Sequence, residues 1–276
     1  MSRTWLITGA SSGFGLTMTE TLLAGGDRVA ATVRRADALA ALQAAHGERL
    51  WVATVDVTDT ATLRRVVDDA FATFGRIDVV VSNAGYGLFG AAEELADEAI
   101  AHQIATNLTG SIQLIRAVLP HLRAQGGGRI LQVSSEGGQI AYPGFSLYHA
   151  TKWGIEGFVE AVAQEVAPFG IGLILAEPGP TRTGFAHGLV DAPATPAYRD
   201  TPVGMLRRAF AEGTFDITGD VTLMVPAIIA AATAPVAPRR LVLGRGAYAS
   251  IRAALQARLA ELEAGRDVAV AMDAAP

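Results

Sequence analysis

Apolar positions along the chain fall into short, nearly unbroken runs, separated by longer stretches in which they recur every three or four residues. The runs cover 5–8, 29–33, 51–55, 79–82, 130–133, 171–176 and 241–243. Continuous apolar character of this kind predicts strands buried on both faces, as in a parallel sheet. The stretches between them are long enough for crossover helices. The plainest helix follows Asp59, where Leu63, Val66, Val67, Ala70, Phe71 and Phe74 form one apolar stripe and Arg64, Arg65, Asp68 and Asp69 lie opposite. Asp59 suits the cap at its start and Gly75 the left-handed stop at its end. Alternating strands and helices predict an α/β protein: a single doubly wound parallel sheet of about seven strands, flanked by helices on both faces. No internal repeat or linker divides the chain, so 1–265 is read as a single domain and 266–276 as a loosely ordered tail. Residues 180–219 hold Pro193, Pro196 and Pro202, several glycines and no strand pattern, and are read as a small substrate-binding lid.

The first strand runs into Thr8-Gly9-Ala10-Ser11-Ser12-Gly13-Phe14-Gly15, which opens a helix. Gly9 allows a tight turn, while Gly13 and Gly15 let backbone approach a pyrophosphate and let the helix pack on the sheet. The helix start then offers amide donors and a positive dipole end. In this strand–loop–helix setting the glycines predict dinucleotide binding.

Composition narrows the remaining options. The 276 residues are 50% hydrophobic with a formal net charge of -5, and no basic stripe suits nucleic acid. There are no cysteines, which removes disulfides, thiolate catalysis and zinc–cysteine sites. His46, His102, His121, His149 and His187 form no short-spaced cluster, so no metal is expected. Met1-Ser2-Arg3 leads directly into the first strand without an apolar targeting segment, and no stretch is long enough for a bilayer, so a cytoplasmic protein with no membrane partner is expected.

The glycine spacing is T-G-x-x-x-G-x-G, and it resembles the loop of the short-chain dehydrogenase/reductase family. Five further elements follow in that family's order: Ser82-Asn83-Ala84-Gly85, Asn107 in Thr106-Asn107-Leu108, Val133-Ser134-Ser135, the Y-x-x-x-K run from Tyr148 to Lys152, and Pro178-Gly179-Pro180-Thr181-Arg182-Thr183. Ser82 replaces an asparagine, and Pro180 is a less usual filler. The resemblance implies a Rossmann-type domain, hydride transfer between a nicotinamide cofactor and a carbonyl or secondary alcohol, and a homodimer or homotetramer. Within the family, steroid and retinol dehydrogenases and bacterial carbonyl reductases look most similar.

Hydride transfer to a carbonyl leaves an alkoxide that needs a proton. Tyr148 is the candidate acid, although free tyrosine titrates near about 10. Lys152, one helical turn on, is expected to favour the phenolate and lower that value. Ser135 is the candidate holder of the substrate oxygen, with Ser134 as competitor; the family's serine-to-tyrosine spacing favours Ser135. Asn107 resembles the asparagine that positions a relay water. The resemblance assigns cofactor contacts to Gly9, Ser11, Ser12, Gly13, Phe14, Gly15, Asp56, Val57, Asn83, Ala84, Gly85, Tyr148, Lys152, Pro178, Gly179, Thr181 and Thr183. Val33 stands where an NAD enzyme carries an acid, and Arg34 and Arg35 follow it, which favours NADP(H) over NAD(H). Ser135, Tyr142, Phe145 and Phe185, with Phe89 and Trp153 nearby in the chain pattern, suggest an apolar pocket for a small hydrophobic ketone, aldehyde or alcohol. A non-catalytic NAD(P)-binding sensor is the alternative, and it is disfavoured because Ser135, Tyr148 and Lys152 occur together.

Overall fold

The apolar runs assemble into one sheet whose inner strands bury both faces, while the two edge strands are half-buried. In the computed structural model, which describes residues 2–185 and 188–273, they become β1 (Thr4–Thr8), β2 (Arg28–Val33), β3 (Leu50–Thr54), β4 (Val79–Ser82), β5 (Gly128–Val133), β6 (Ile171–Pro178) and β7 (Arg240–Leu243). All pairings are parallel, in the order β3-β2-β1-β4-β5-β6-β7. Successive side chains divide between the faces: Leu6, Val80 and Ile130 join one core, while Trp5, Ile7, Val79, Val81 and Leu131 join the other.

The first core is closed by α3 (Thr60–Phe74), α5 (Ser111–Ala124) and α6 (Ser146–Val166), and the second by α1 (Gly13–Ala24) and α8 (Val221–Thr233). The Asp59 carboxylate accepts from the amides of Ala61 and Thr62 at 3.1 Å, and Gly75 ends α3 at φ 72. A short α2 (Ala40–His46) precedes β3, and α4 (Asp97–Gln103) joins α5 through a π-helical segment, Ile104–Gly110. The strand order reverses between β1 and β4, which opens a crevice at the carboxyl ends of the strands.

Two segments are more regular than their sequence suggests. The segment expected to be a lid contains α7 (Pro202–Ala211) and the two-residue strands Thr181–Arg182, Val190–Asp191 and Gly219–Asp220; the last of these pairs with Thr181–Arg182, and Val190–Asp191 pairs with Leu88–Phe89. Two residues are too short to show an alternating pattern, so the sequence carries no sign of them. After the long α9 (Arg245–Ala264), the expected loose tail begins with a helical turn, α10 (Arg266–Val270); its last three residues, 274–276, lie outside the described residues.

A buried ionic cluster ties α6 to the sheet. Arg240 of β7 pairs with Glu156 and Glu160 of α6, and with Glu177 of β6 at 2.5 Å. Glu177 is fully buried, and Gln139 donates to its other oxygen at 2.6 Å. Burial and the neighbouring Glu156 push the Glu177 carboxyl above its usual range, and Arg240 pulls it back. A carboxyl raised in the folded state costs stability as the pH climbs above its unfolded value, and removing Arg240 enlarges that cost. Arg240→Met is therefore expected to lose about 3–5 kcal/mol near pH 8 and clearly less near pH 5, where the carboxyls take up protons. Thermal unfolding across that range checks it; a loss independent of pH would contradict the charge argument.

Candidate active site

The crevice begins with the turn after β1. Gly9 (φ 67) and Gly13 (φ 52) adopt left-handed backbone that suits glycine. A Cβ on Gly15 would lie 2.3 Å from the Gly9 carbonyl oxygen and 2.7 Å from Asn83 Nδ2, so the turn is packed backbone against backbone. Asn83 fastens it: Nδ2 donates to the carbonyls of Thr8 and Gly9 at 2.9 and 3.2 Å. The Thr8 hydroxyl accepts from the amides of Asn83 and Ala84 at 3.0 and 3.2 Å. Ser12 makes no side-chain cap at the start of α1, so the first amides of that helix remain without a partner from a cap. Thr183, from the segment after β6, packs against the Gly13 position. A tight glycine cradle and an uncapped helix start fit a dinucleotide pyrophosphate.

The remaining predicted cofactor residues follow the carboxyl ends of β2, β3, β4 and β6. Arg34 and Arg35 are exposed after β2. Arg35 lies 4.0 Å from the Asp37 carboxylate, while Arg34 bears on Asp56. The Asp56 carboxylate is closed on Thr58, accepting from its hydroxyl at 2.7 Å and its amide at 2.9 Å, and these bonds chiefly hold its pKa low. Val57 packs over Gly110, and Gly85 lies against the Asn107 side chain. Thr181 donates to the Gly179 carbonyl at 2.7 Å, shaping the bend that follows Pro178.

Ser135, Tyr148, Lys152 and Asn107 gather at the ends of β4 and β5. Tyr148 and Lys152 occupy successive turns of α6, with the ammonium 5.5 Å from the phenol ring centre. The ammonium donates to the Val133 carbonyl at 3.0 Å. Burial pushes Lys152 down to about 8, against the pull of Glu156 one turn further on. The expected lowering of the tyrosine is not what the protein shows: burial pushes Tyr148 up to about 12, the facing Ser135 hydroxyl opposes this, and Glu136 adds to it. Only 8% of Tyr148 is exposed, and loss of hydration outweighs the Ser135 hydrogen bond.

The two candidate serines have different surroundings. Ser134 donates to Glu156 at 2.6 Å and belongs to the buried ionic cluster. Ser135 accepts from the Gly137 amide at 3.1 Å and faces Tyr148. Asn107 sits in the π-helical segment, where both ends of its amide clamp the backbone of Tyr86, at 2.8 and 3.0 Å. Its carbonyl accepts from the Ser111 hydroxyl at 3.1 Å.

Among the predicted pocket residues, the Phe185 ring lies 5.7 Å from that of Tyr148, and the Phe145 ring 6.0 Å from it. Tyr142 stands edge-on to Phe145 and His149. Phe89 is core, packed on Phe145 and Phe210. Trp153 faces away, half-exposed beneath Arg258. Val203, Leu206 and Phe210 of α7 pack on the same cluster.

Sequence reasoning missed His149 and Glu136. His149 staples the loop before α6: its Nε2 accepts from the Tyr142 amide at 3.2 Å, so Nδ1 carries the proton donated to the Gly137 carbonyl at 2.9 Å. His187 lies outside the described residues; among those described, no group of three or more His, Cys, Asp or Glu side chains is placed to hold a metal. No described helix is long and apolar enough to cross a membrane.

This combination defines a Rossmann-type oxidoreductase that uses NAD(P) and acts on carbonyl or CH–OH groups. The short chain dehydrogenase family model matches residues 3–194, and the chain belongs to that family. Oxidoreductase BOA17 of Botryotinia fuckeliana is 40% identical over 231 residues, covering 83% of this chain and 82% of that protein. A 3-ketodihydrosphingosine reductase of Bacteroides thetaiotaomicron is 38% identical over 180 residues, covering 65% of this chain and 64% of that one. The crystal structure of a short-chain dehydrogenase from Streptomyces avermitilis superposes with a TM-score of 0.90 at 37% identity, covering 99% of this chain and 98% of that one.

The contrast between the serines gives a double prediction. Ser134→Ala should cost about 1–3 kcal/mol of stability by leaving Glu156 short of a hydrogen bond, with turnover little changed. Ser135→Ala should depress turnover strongly while the melting temperature holds. Melting curves and carbonyl-reduction rates on both variants test it, and a reversed order of turnover would reassign the serine.

Proposed function

We propose that the chain reduces a hydrophobic ketone or aldehyde, or oxidises the matching secondary alcohol, with NADP(H) as preferred cofactor. The observation that carries this reading is the convergence of Ser135, Tyr148 and Lys152 in one buried site beside an uncapped glycine-loop helix. When bound, the nicotinamide exchanges a hydride with the carbon that carries the reacting oxygen. Ser135 Oγ holds that oxygen, and Tyr148 Oη gives it a proton during reduction or takes one during oxidation. A phenol held protonated by burial is ready to act as an acid, which suits the reducing direction. Lys152 lowers the cost of phenolate once Tyr148 has given up its proton. Asn107 positions a relay water, and its part rests on likeness to the family. Tyr142, Phe145 and Phe185 line the substrate's apolar portion, and the lid of 180–219 closes over it to exclude water. A ketone reductase among the relatives agrees with the direction of the chemistry.

The reading extends to one catalytic domain over 1–265 and to a cytoplasmic homodimer or homotetramer paired through α5 and α6, by analogy with the family. A non-catalytic sensor has no observation in its favour.

Tyr148→Phe keeps the ring and removes the acid. Turnover is expected to fall by about a hundredfold or more, the usual scale for general acid catalysis, with cofactor binding intact. Near-normal reduction rates would remove Tyr148 from this role.

The NADP(H) preference rests on Arg34, whose planar donors suit a 2′-phosphate, and on the absence of an acid at Val33. Arg34→Ala should weaken NADPH by roughly ten- to a hundredfold and leave NADH nearly unchanged. Adding Val33→Asp should move the preference further toward NADH. Dissociation constants for both cofactors decide this; equal affinities in the parent protein would end the NADP(H) assignment.

A further inference from the structure

The residue after the candidate catalytic serine is an acid. Glu136 opens the short turn Glu136–Gly138 and is 6% exposed. One carboxyl oxygen accepts from the Ser250 hydroxyl of α9 at 2.9 Å. That same oxygen lies 3.6 Å from where a Cβ on Gly179 would stand, so the group is wedged between the P-G bend and α9. Its charge bears on Tyr148 and on Tyr142, the proposed acid and a proposed pocket wall. Among the described residues no Lys, Arg or His forms an ion pair with it, in contrast to Glu94, Glu156 and Glu177, each of which meets an arginine. Burial accordingly raises its pKa, opposed only by Ser250.

An acid buried without a cation beside an aromatic pocket costs stability, and the single hydroxyl of Ser250 offsets only part of that cost. An apolar side chain would pack there at lower cost. We propose that Glu136 is a specificity-determining residue, whose carboxyl receives a hydrogen-bond donor on the substrate, so that the favoured carbonyl compound carries an ammonium or hydroxyl group close to the reacting carbon and an apolar remainder. This rests on the hydride-transfer reading of the same site. The donor adds a second partner beside Ser250, and Tyr142, Phe145 and Phe185 take the apolar part. An ammonium satisfies the carboxylate as a charge and a hydroxyl satisfies it as a hydrogen bond; the same pocket, with its acid unpaired, disfavours a plain ketone of equal length.

The test uses three matched probes: a long-chain methyl ketone, the same ketone with an α-hydroxyl, and the same ketone with an α-dimethylammonium group. kcat/KM is measured by NADPH consumption for the parent protein, Glu136→Leu and Glu136→Gln. The parent is expected to favour the donor-bearing probes by about ten- to a hundredfold, the scale of a charged hydrogen bond. Glu136→Leu should collapse both preferences. Glu136→Gln keeps the shape and an acceptor oxygen, so it should retain much of the hydroxyl preference and lose the ammonium preference. If Glu136→Leu does not fold, the charge-selective loss in Glu136→Gln carries the test. A parent that treats all three probes alike, or preferences unchanged in both variants, overturns the proposal and leaves hydride transfer standing. No turnover of any probe by the parent overturns the hydride-transfer reading, and this one with it.

Discussion

The arrangement of this protein turns on a lysine placed in its interior. An ammonium removed from water is expensive unless it is met by acceptors and opposite charge. Lys152 is met by the Val133 carbonyl at the end of β5 and by the field of Glu156 one turn along α6. Glu156 is itself buried, and is held by Ser134 and by Arg240 from the edge strand. Arg240 reaches in turn to Glu160 and to Glu177 of β6. Lys152 and the sheet are thus joined by a continuous set of charges and hydrogen bonds.

Much of the fold was legible because parallel strands announce themselves. The run 79–82 needed no adjustment, 5–8, 29–33 and 241–243 each begin one residue late, 51–55 is shifted by one residue, and 130–133 and 171–176 each fall two residues short. The glycine turn and the Tyr148–Lys152 pair were legible because their spacing carries chemistry directly. What lay hidden was decided by tertiary partners. Glu156 continues the four-residue spacing of Tyr148 and Lys152, yet reads as an ordinary charge on a helix until Arg240 arrives from residues far along the chain. Glu136 reads as surface, and becomes buried only when α9 and the P-G bend close over it. The direction of the Tyr148 shift was misjudged for the same reason: charge spacing is visible in a sequence, and depth is not.

The segment 180–219 illustrates the converse. Prolines and glycines suggested an irregular loop, but Val203, Leu206 and Phe210 place an apolar stripe on α7, and that stripe covers Tyr148 and Phe145. The glycine-poor stretch 203–210 was short enough to be masked by its flanks. That helix packs on the aromatic cluster around Tyr148, so the surroundings of this tyrosine are set partly by a segment outside the sheet.

The π-helical segment at Ile104–Gly110 amounts to one residue too many in an otherwise continuous helix. Such an insertion advances everything after it by about 100° around the axis, since an α-helix turns once in 3.6 residues. The extra residue therefore does two things together. It loosens the coil where Asn107 turns inward to grip Tyr86, and it sets the angular phase at which Leu114, Ile115, Val118 and Leu122 meet the sheet. A single-codon deletion there would tighten the coil and rotate that whole apolar row off the core. Chain length at this point is therefore as constrained as residue identity, and variation that adds or removes one residue is expected to be far rarer here than in the segment 180–219.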